Sequence, residues 1–128
     1  MLRILLVEDE FQLQRIMTLN LTRQGHTVAE ADSVEMACDM FLAAREAGIP
    51  FDLLILETHL PDRCGWDLLR ALRSAHIATP PIILITPLPV TSGRQAEFAP
   101  VATLLKPFPI GALLRLVARA EQLTAASA

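Results

Sequence analysis

The chain has 128 residues, 52% of them hydrophobic, with 11 basic and 14 acidic side chains and a net charge of -3. That length suits one domain around one core, and the lack of a basic block argues against nucleic-acid binding by this chain alone. The longest apolar runs, residues 53–56 and 82–85, fall far short of the ~20 residues that span a bilayer, so no membrane insertion is expected.

The mean hydropathy, +0.41, is nevertheless high. Apolarity without a span fits a parallel sheet buried on both faces. The opening MLRILLVEDE turns acidic too early for a signal peptide. Cys38 and Cys64 show neither metal-ligand spacing nor a disulfide pattern. A cytoplasmic setting is the expectation. With no Tyr and a single Trp, Trp66, stacking of a flavin or of single-stranded bases is disfavoured.

Residues 2–7 (LRILLV) form a short apolar run that stops at charges, which predicts a central strand. Residues 10–24 follow with Phe11, Leu13, Ile16, Met17, Leu19 and Leu21 near helical spacing, and Gly25 is placed to end that helix. Residues 27–31 (TVAEA) predict a second strand. Asp32 or Ser33 can cap a helix whose inner face is Val34, Ala37, Cys38, Phe41 and Leu42. Gly48 and Pro50 end it.

Residues 52–56 predict the third strand, which delivers Glu57 into a loop, and a third helix covers residues 66–74 with Leu68, Leu69 and Leu72 inward. Residues 82–85 (IILI) predict the fourth strand, ending at Thr86. Pro87, Pro89, Gly93 and Pro100 then leave room for only a short helix over residues 92–98. Residues 102–105 (ATLL) predict the fifth strand, ending at Lys106, and residues 110–123 the last helix, with Leu113, Leu114, Val117 and Ala120 buried. The small residues 124–128 (TAASA) read as a flexible tail or the start of a linker, leaving residues 1–123 as the domain. Strand and helix alternate five times, which implies right-handed crossovers and a parallel sheet of the α/β class.

In an open parallel sheet, ligands bind beyond the carboxyl ends of the strands. The residues placed there are Glu8, Asp9 and Glu10, then Glu57, Thr86 and Lys106. Clustered carboxylates favour a hard divalent cation such as Mg²⁺. A lysine opposite them can neutralise charge or hold a phosphoryl oxygen.

Four motifs in this order, ILLVEDE, DLLILExxxPxxxG, IILIT and LLKPF, make the whole chain resemble a receiver domain of bacterial two-component response regulators, of the single-domain chemotaxis-regulator type. The resemblance implies a flavodoxin-like (βα)5 fold with strand order 2-1-3-4-5 and a reduced fourth helix. It implies that Glu8 and Asp9 hold Mg²⁺ weakly, together with Glu57 and the backbone carbonyl of His59. It also implies that Thr86 and Lys106 contact the phosphoryl group, and that the Lys106–Pro107 bond is cis. Implied partners are a sensor histidine kinase or other signalling protein, and a second copy meeting the face of the fourth helix, fifth strand and fifth helix.

The departures from the family pattern carry the functional reading. Glu57 stands where the family has the phosphoacceptor aspartate, which attacks a phosphohistidine. Its extra methylene displaces the oxygens by about 1.5 Å, and a misplacement of about 1 Å can cost about 100-fold in rate. The longer side chain can instead approach Lys106 and Thr86 directly and partly imitate a phosphorylated aspartate. Pro87 removes a backbone N–H beside the site, and Thr103 replaces the usual switch aromatic. The expectation is an atypical receiver that acts by protein contacts without turnover, with phosphorylation weakened or lost. The alternatives are a receiver that is phosphorylated on Glu57 with Mg²⁺ bound, and a flavodoxin-like enzyme. The enzyme reading lacks a Gly-rich phosphate loop.

Other residues have plainer readings. Asp52 starts a strand at the wrong end of the sheet for an acceptor. Asp62 sits in a Pro-Asp turn. Glu10 reads as a first-turn helix residue, His26 and His76 as surface, Cys38 and Cys64 as ordinary thiols, and Trp66 as packing at the start of the third helix.

Overall fold

Five strands and five helices alternate in the computed structural model, which describes residues 1–127. They are β1 (Arg3–Val7), α1 (Phe11–Arg23), β2 (Thr27–Ala31), α2 (Val34–Glu46), β3 (Leu53–Glu57), α3 (Gly65–Ser74), β4 (Ile82–Thr86), α4 (Ser92–Phe98), β5 (Ala102–Leu105) and α5 (Ile110–Ser127). The strands form one parallel sheet in the order β2-β1-β3-β4-β5. The expected order and the short α4 are both present.

Side chains alternate across a strand, and here the alternation divides the core in two. Leu5, Val7, Leu54, Leu56 and Leu84 pack with α2, α3 and Phe98 of α4. Ile4, Leu6, Leu53, Ile55, Ile83 and Ile85 pack with Met17 and Leu21 of α1 and Leu113, Val117 and Ala120 of α5. Residues 53–56 and 82–85 are apolar without interruption because both faces of β3 and β4 are covered.

The helix ends are set by local chemistry. Thr91 caps α4 by accepting from the Arg94 N–H, and Ala99, at φ 45°, ends it in the left-handed region. The Ser33 hydroxyl accepts from Met36 N–H at the start of α2. Asp62 completes that cap from 28 residues away, accepting from Val34 N–H at 3.0 Å and from Glu35 N–H at 3.1 Å. Asp62 is therefore more than a turn residue: its carboxylate sits on the positive end of α2.

In α1, Met17 and Leu21 are buried, while Phe11, Ile16 and Leu19 are solvent-exposed. Two other expectations are corrected. His26 is buried, not surface: Gly25, at φ 92°, folds the chain back so that His26 Nδ1 accepts from Leu2 N–H at 3.1 Å. Residues 124–127 continue α5 rather than forming a tail, since alanine is a strong helix former; residue 128 of that expected tail lies outside the described residues.

Asp62→Ala should lower stability by about 0.5–1 kcal/mol in urea denaturation, toward the low end for a cap because the carboxylate is solvated. The amides of α2 hold the Asp62 pKa below its usual value, so this contribution is present above the ordinary carboxylate pKa and fades as pH falls through the lowered one. An unchanged acid-denaturation profile in the variant would reject this role.

Candidate functional site

Strand register decides what meets at the carboxyl edge of the sheet. Val7 pairs with Leu56, so the next residues, Glu8 and Glu57, stand side by side. Glu8 continues the alternation of Ile4 and Leu6, and Glu57 that of Leu53 and Ile55, which turns both carboxylates toward the α1 and α5 side. Glu57 is not in the loop expected for it. It is the last residue of β3, paired with Ile85 and 3% exposed, while Glu8 is fully buried.

Lys106 closes the cluster. Its backbone N–H donates to the Thr86 carbonyl at 2.9 Å, which holds the end of β5 against the end of β4. Its Nζ lies 2.7 Å from Glu10 Oε1, 2.8 Å from Glu8 Oε1 and 3.2 Å from Glu57 Oε1. The Glu10 contact alone of the three also has hydrogen-bond alignment. The others are ion pairs off the donor directions, so Glu8 Oε1 is buried without an aligned donor; Glu57 Oε2, the oxygen that the lysine does not contact, is likewise buried without a hydrogen-bond partner. Glu10 was read as an ordinary first-turn residue; it instead occupies the N-cap position of α1, and its carboxylate leaves the helix for Lys106.

The electrostatics follow from one ammonium facing three carboxylates. Burial, and then the charge of Glu8, push Glu57 up to about 7 against the pull of Lys106. Burial also raises Glu8, opposed by Lys106 and by the Glu10 N–H. For Lys106, burial works against the charge, yet the carboxylates of Glu10, Glu8 and Glu57 outweigh it and hold the ammonium above the ordinary lysine range. Asp9 is exposed and adds negative charge behind Glu57.

The remaining expected site residues are dispersed. Thr86 follows the alternation of Ile82 and Leu84, toward the α3 and α4 side. Its hydroxyl donates to Leu88 O at 2.9 Å and accepts from Leu88 N–H at 3.2 Å. It lines a cavity of about 180 Å³ with Thr58, His59, Trp66 and Arg94 rather than meeting Glu57. His59 is exposed, its Nδ1 2.9 Å from Thr58 Oγ1. Thr103 is half-buried, and its hydroxyl has no hydrogen-bond partner. The Lys106–Pro107 bond is cis. Gly65 is required by close approach: a Cβ there would lie 2.3 Å from the Glu57 carbonyl oxygen, and the Gly65 N–H donates to Thr58 O at 2.7 Å. Trp66 stacks on Phe98 at 5.1 Å under the guanidinium of Arg94.

The donor chemistry of this edge fits a hard cation. The oxygens are carboxylates, their charge exceeds that of the single ammonium, and Glu57 Oε2 is buried with no partner. Among the described residues no three acidic, imidazole or thiol groups converge as a ready cage. Mg²⁺ needs no such cage, since it commonly takes one or two carboxylates and keeps water.

The family model described as "Response regulator receiver domain" matches residues 4–118. The probable transcriptional regulatory protein SilR of Salmonella typhimurium is 34% identical over 91% of this chain and 49% of its own length. The transcriptional regulatory protein CusR of Escherichia coli K12 is 35% identical over the same shares. The chain thus spans about half the length of these curated relatives. Among solved structures, the non-phosphorylated HemR receiver domain of Leptospira biflexa aligns with a TM-score of 0.77 and 26% identity over 92% of both chains. TrrA of Thermotoga maritima, solved in complex with Mg²⁺-BeF, has the same TM-score at 24% identity, covering 94% of this chain and 99% of its own, a likeness of fold.

The raised Glu57 pKa has a signed consequence. The folded chain holds this proton up to about pH 7, whereas the unfolded chain releases it near 4.5. Folding therefore takes up a proton between those values, and stability falls as pH rises through them. The loss is at most about 3 kcal/mol. Urea denaturation at about pH 5 and about pH 7.5 should show Glu57→Gln losing less stability than wild type. Glu8 leaves a residual slope of the same sign; equal slopes in the two proteins would refute the assignment.

Proposed function

This chain belongs to the response-regulator receiver domain family of two-component signal transduction, and from that premise we propose that it is an atypical receiver that signals by protein contacts, with phosphoryl transfer weakened or lost. The observation that carries the reading is the 3.2 Å contact between Glu57 Oε1 and Lys106 Nζ. Glutamate at the acceptor position reaches the lysine of the LLKPF motif without a phosphoryl group between them. Its carboxylate is displaced by about one bond length from where an aspartate would present its oxygens. It is also partly protonated near neutral pH, and a protonated carboxyl is a poor nucleophile.

The switch end supports the same reading. A phosphoryl group on an acceptor recruits the Thr86 hydroxyl, but here that hydroxyl both donates to and accepts from Leu88 within its own loop. Pro87 and Pro89 restrict that loop, and Thr103 offers no aromatic ring to move.

Glu8, Asp9 and Glu57, with the backbone carbonyl of His59, would hold Mg²⁺. The ion would supply positive charge for phosphoryl oxygens. The residues themselves bury a compensated cluster: Lys106 offsets Glu8 and Glu57, and Glu10 orients Lys106 from the solvent side. We assign the receiver to the matched residues 4–118 together with the rest of α5, which runs to Ser127. Its partners by this reading are a sensor histidine kinase or another signalling protein, and a second copy through the face of α4, β5 and α5. The relatives' role as transcriptional regulators extends over a length twice that of this chain, so an output domain on the same polypeptide is part of the proposal.

A small-molecule phosphodonor with Mg²⁺, read by intact mass and peptide mapping, tests the acceptor. We expect no phosphoryl adduct on the wild-type chain and a measurable adduct on Glu57→Asp. A stoichiometric adduct mapped to Glu57 would overturn the atypical reading.

A further inference from the structure

Lys106 is the only lysine in the chain; every other basic side chain is an arginine. Its ammonium has three N–H donors and no acceptor capacity, and three carboxylates stand within 3.2 Å of it. Glu8 and Glu57 are held there by strand register. Glu10 is not. It has left β1, lies 96 residues from Lys106 in sequence, and its side chain is 62% exposed.

An acidic residue at the start of a helix ordinarily caps that helix. Glu10 does not: at φ -75°, ψ 106° it holds the N-cap position, and its side chain accepts no bond from the α1 amides. Its backbone is committed locally, with Glu10 N–H donating to Glu8 Oε2 at 3.2 Å and Glu10 O accepting from Gln14 N–H at 2.9 Å. Those two bonds fix the residue beside Glu8 and aim the carboxylate across the edge of the sheet. There it takes the shortest of the three Lys106 contacts and the aligned one.

We propose that Glu10 is a positioning residue that tethers the Lys106 ammonium over Glu8 and Glu57, so that the chain's own cation competes with a divalent cation for those carboxylates. The inference rests on the reading of this edge as a receiver-type acidic site, and it adds a residue outside the acidic pair. A tethered ammonium also explains how two buried carboxylates persist side by side. Without a cation each carries an uncompensated desolvation cost. The lysine stem is long and flexible, with considerable rotamer entropy to lose when its ammonium is placed, and the solvent-side carboxylate holds it in place.

Two measurements on the 128-residue chain test the tether. Calorimetric titration with MgCl₂ should give Glu10→Gln a gain in affinity over wild type of about two- to five-fold, the range for loss of one exposed ion pair. In a Lys106→Met background the same Glu10→Gln change should have no effect, since no ammonium remains to be tethered. Reductive methylation of the single lysine should be faster in Glu10→Gln, and this readout needs no metal. Weaker Mg²⁺ binding in Glu10→Gln would make Glu10 a ligand and overturn the tether. So would unchanged methylation, or Mg²⁺ binding no tighter in both Glu10→Gln and Lys106→Met than in wild type. None of these outcomes bears on whether Glu57 accepts a phosphoryl group, so the two readings fail separately.

Discussion

One ammonium surrounded by three carboxylates is the constraint on which this structure turns. Glu8 and Glu57 are buried at neighbouring strand ends, where two like charges repel and neither is solvated. A nearby cation or a retained proton makes that arrangement tolerable, and this site uses both. Lys106 supplies charge, but burial and the neighbouring Glu8 charge outweigh its pull, so Glu57 keeps its proton to about pH 7. A lysine suits this position better than one of the chain's arginines. A compact point charge can face three separate oxygens, whereas a planar guanidinium favours a single bidentate partner.

The sheet brings these groups together and also keeps others apart. Strand alternation sends Glu8 and Glu57 toward the α1 and α5 face, while Thr58 and Thr86 line a cavity on the α3 and α4 face beside Trp66. Any contact between the Glu57 carboxylate and the Thr86 hydroxyl would have to cross the end of the sheet between those faces. Thr86 is instead held by both hydrogen bonds to Leu88. Lys106 remains linked to this strand through its backbone bond to the Thr86 carbonyl, so the charged cluster is built on the β4 end without engaging the Thr86 side chain. Gly65 adds a steric condition, since α3 can begin where it does only if no side chain approaches the Glu57 carbonyl.

Much of this was legible in the residues. Uninterrupted apolar runs at 53–56 and 82–85 announced strands covered on both faces, and the prolines flanking residues 92–98 announced a short α4. The residue after each apolar run marked the carboxyl edge of the sheet, which is how Glu8, Glu57, Thr86 and Lys106 could be named as neighbours of one region. The direction of each side chain was harder to read. A strand ending one residue later than expected places Glu57 in the sheet rather than in a loop, and the same alternation that fixes its face sends Thr86 to the other.

By itself, the sequence determined the α/β class, because strand and helix alternation depends on local periodicity, and its motifs, through the resemblance they carry, implied the strand order. Tertiary structure decided that Glu10 belongs to Lys106, that Asp62 caps α2 and that His26 is buried against Leu2. Each of those contacts joins residues at least 24 positions apart. A charged or polar side chain looks the same in sequence whether it meets water or a distant partner. Only the packing that brings the partner within about 3 Å separates the two.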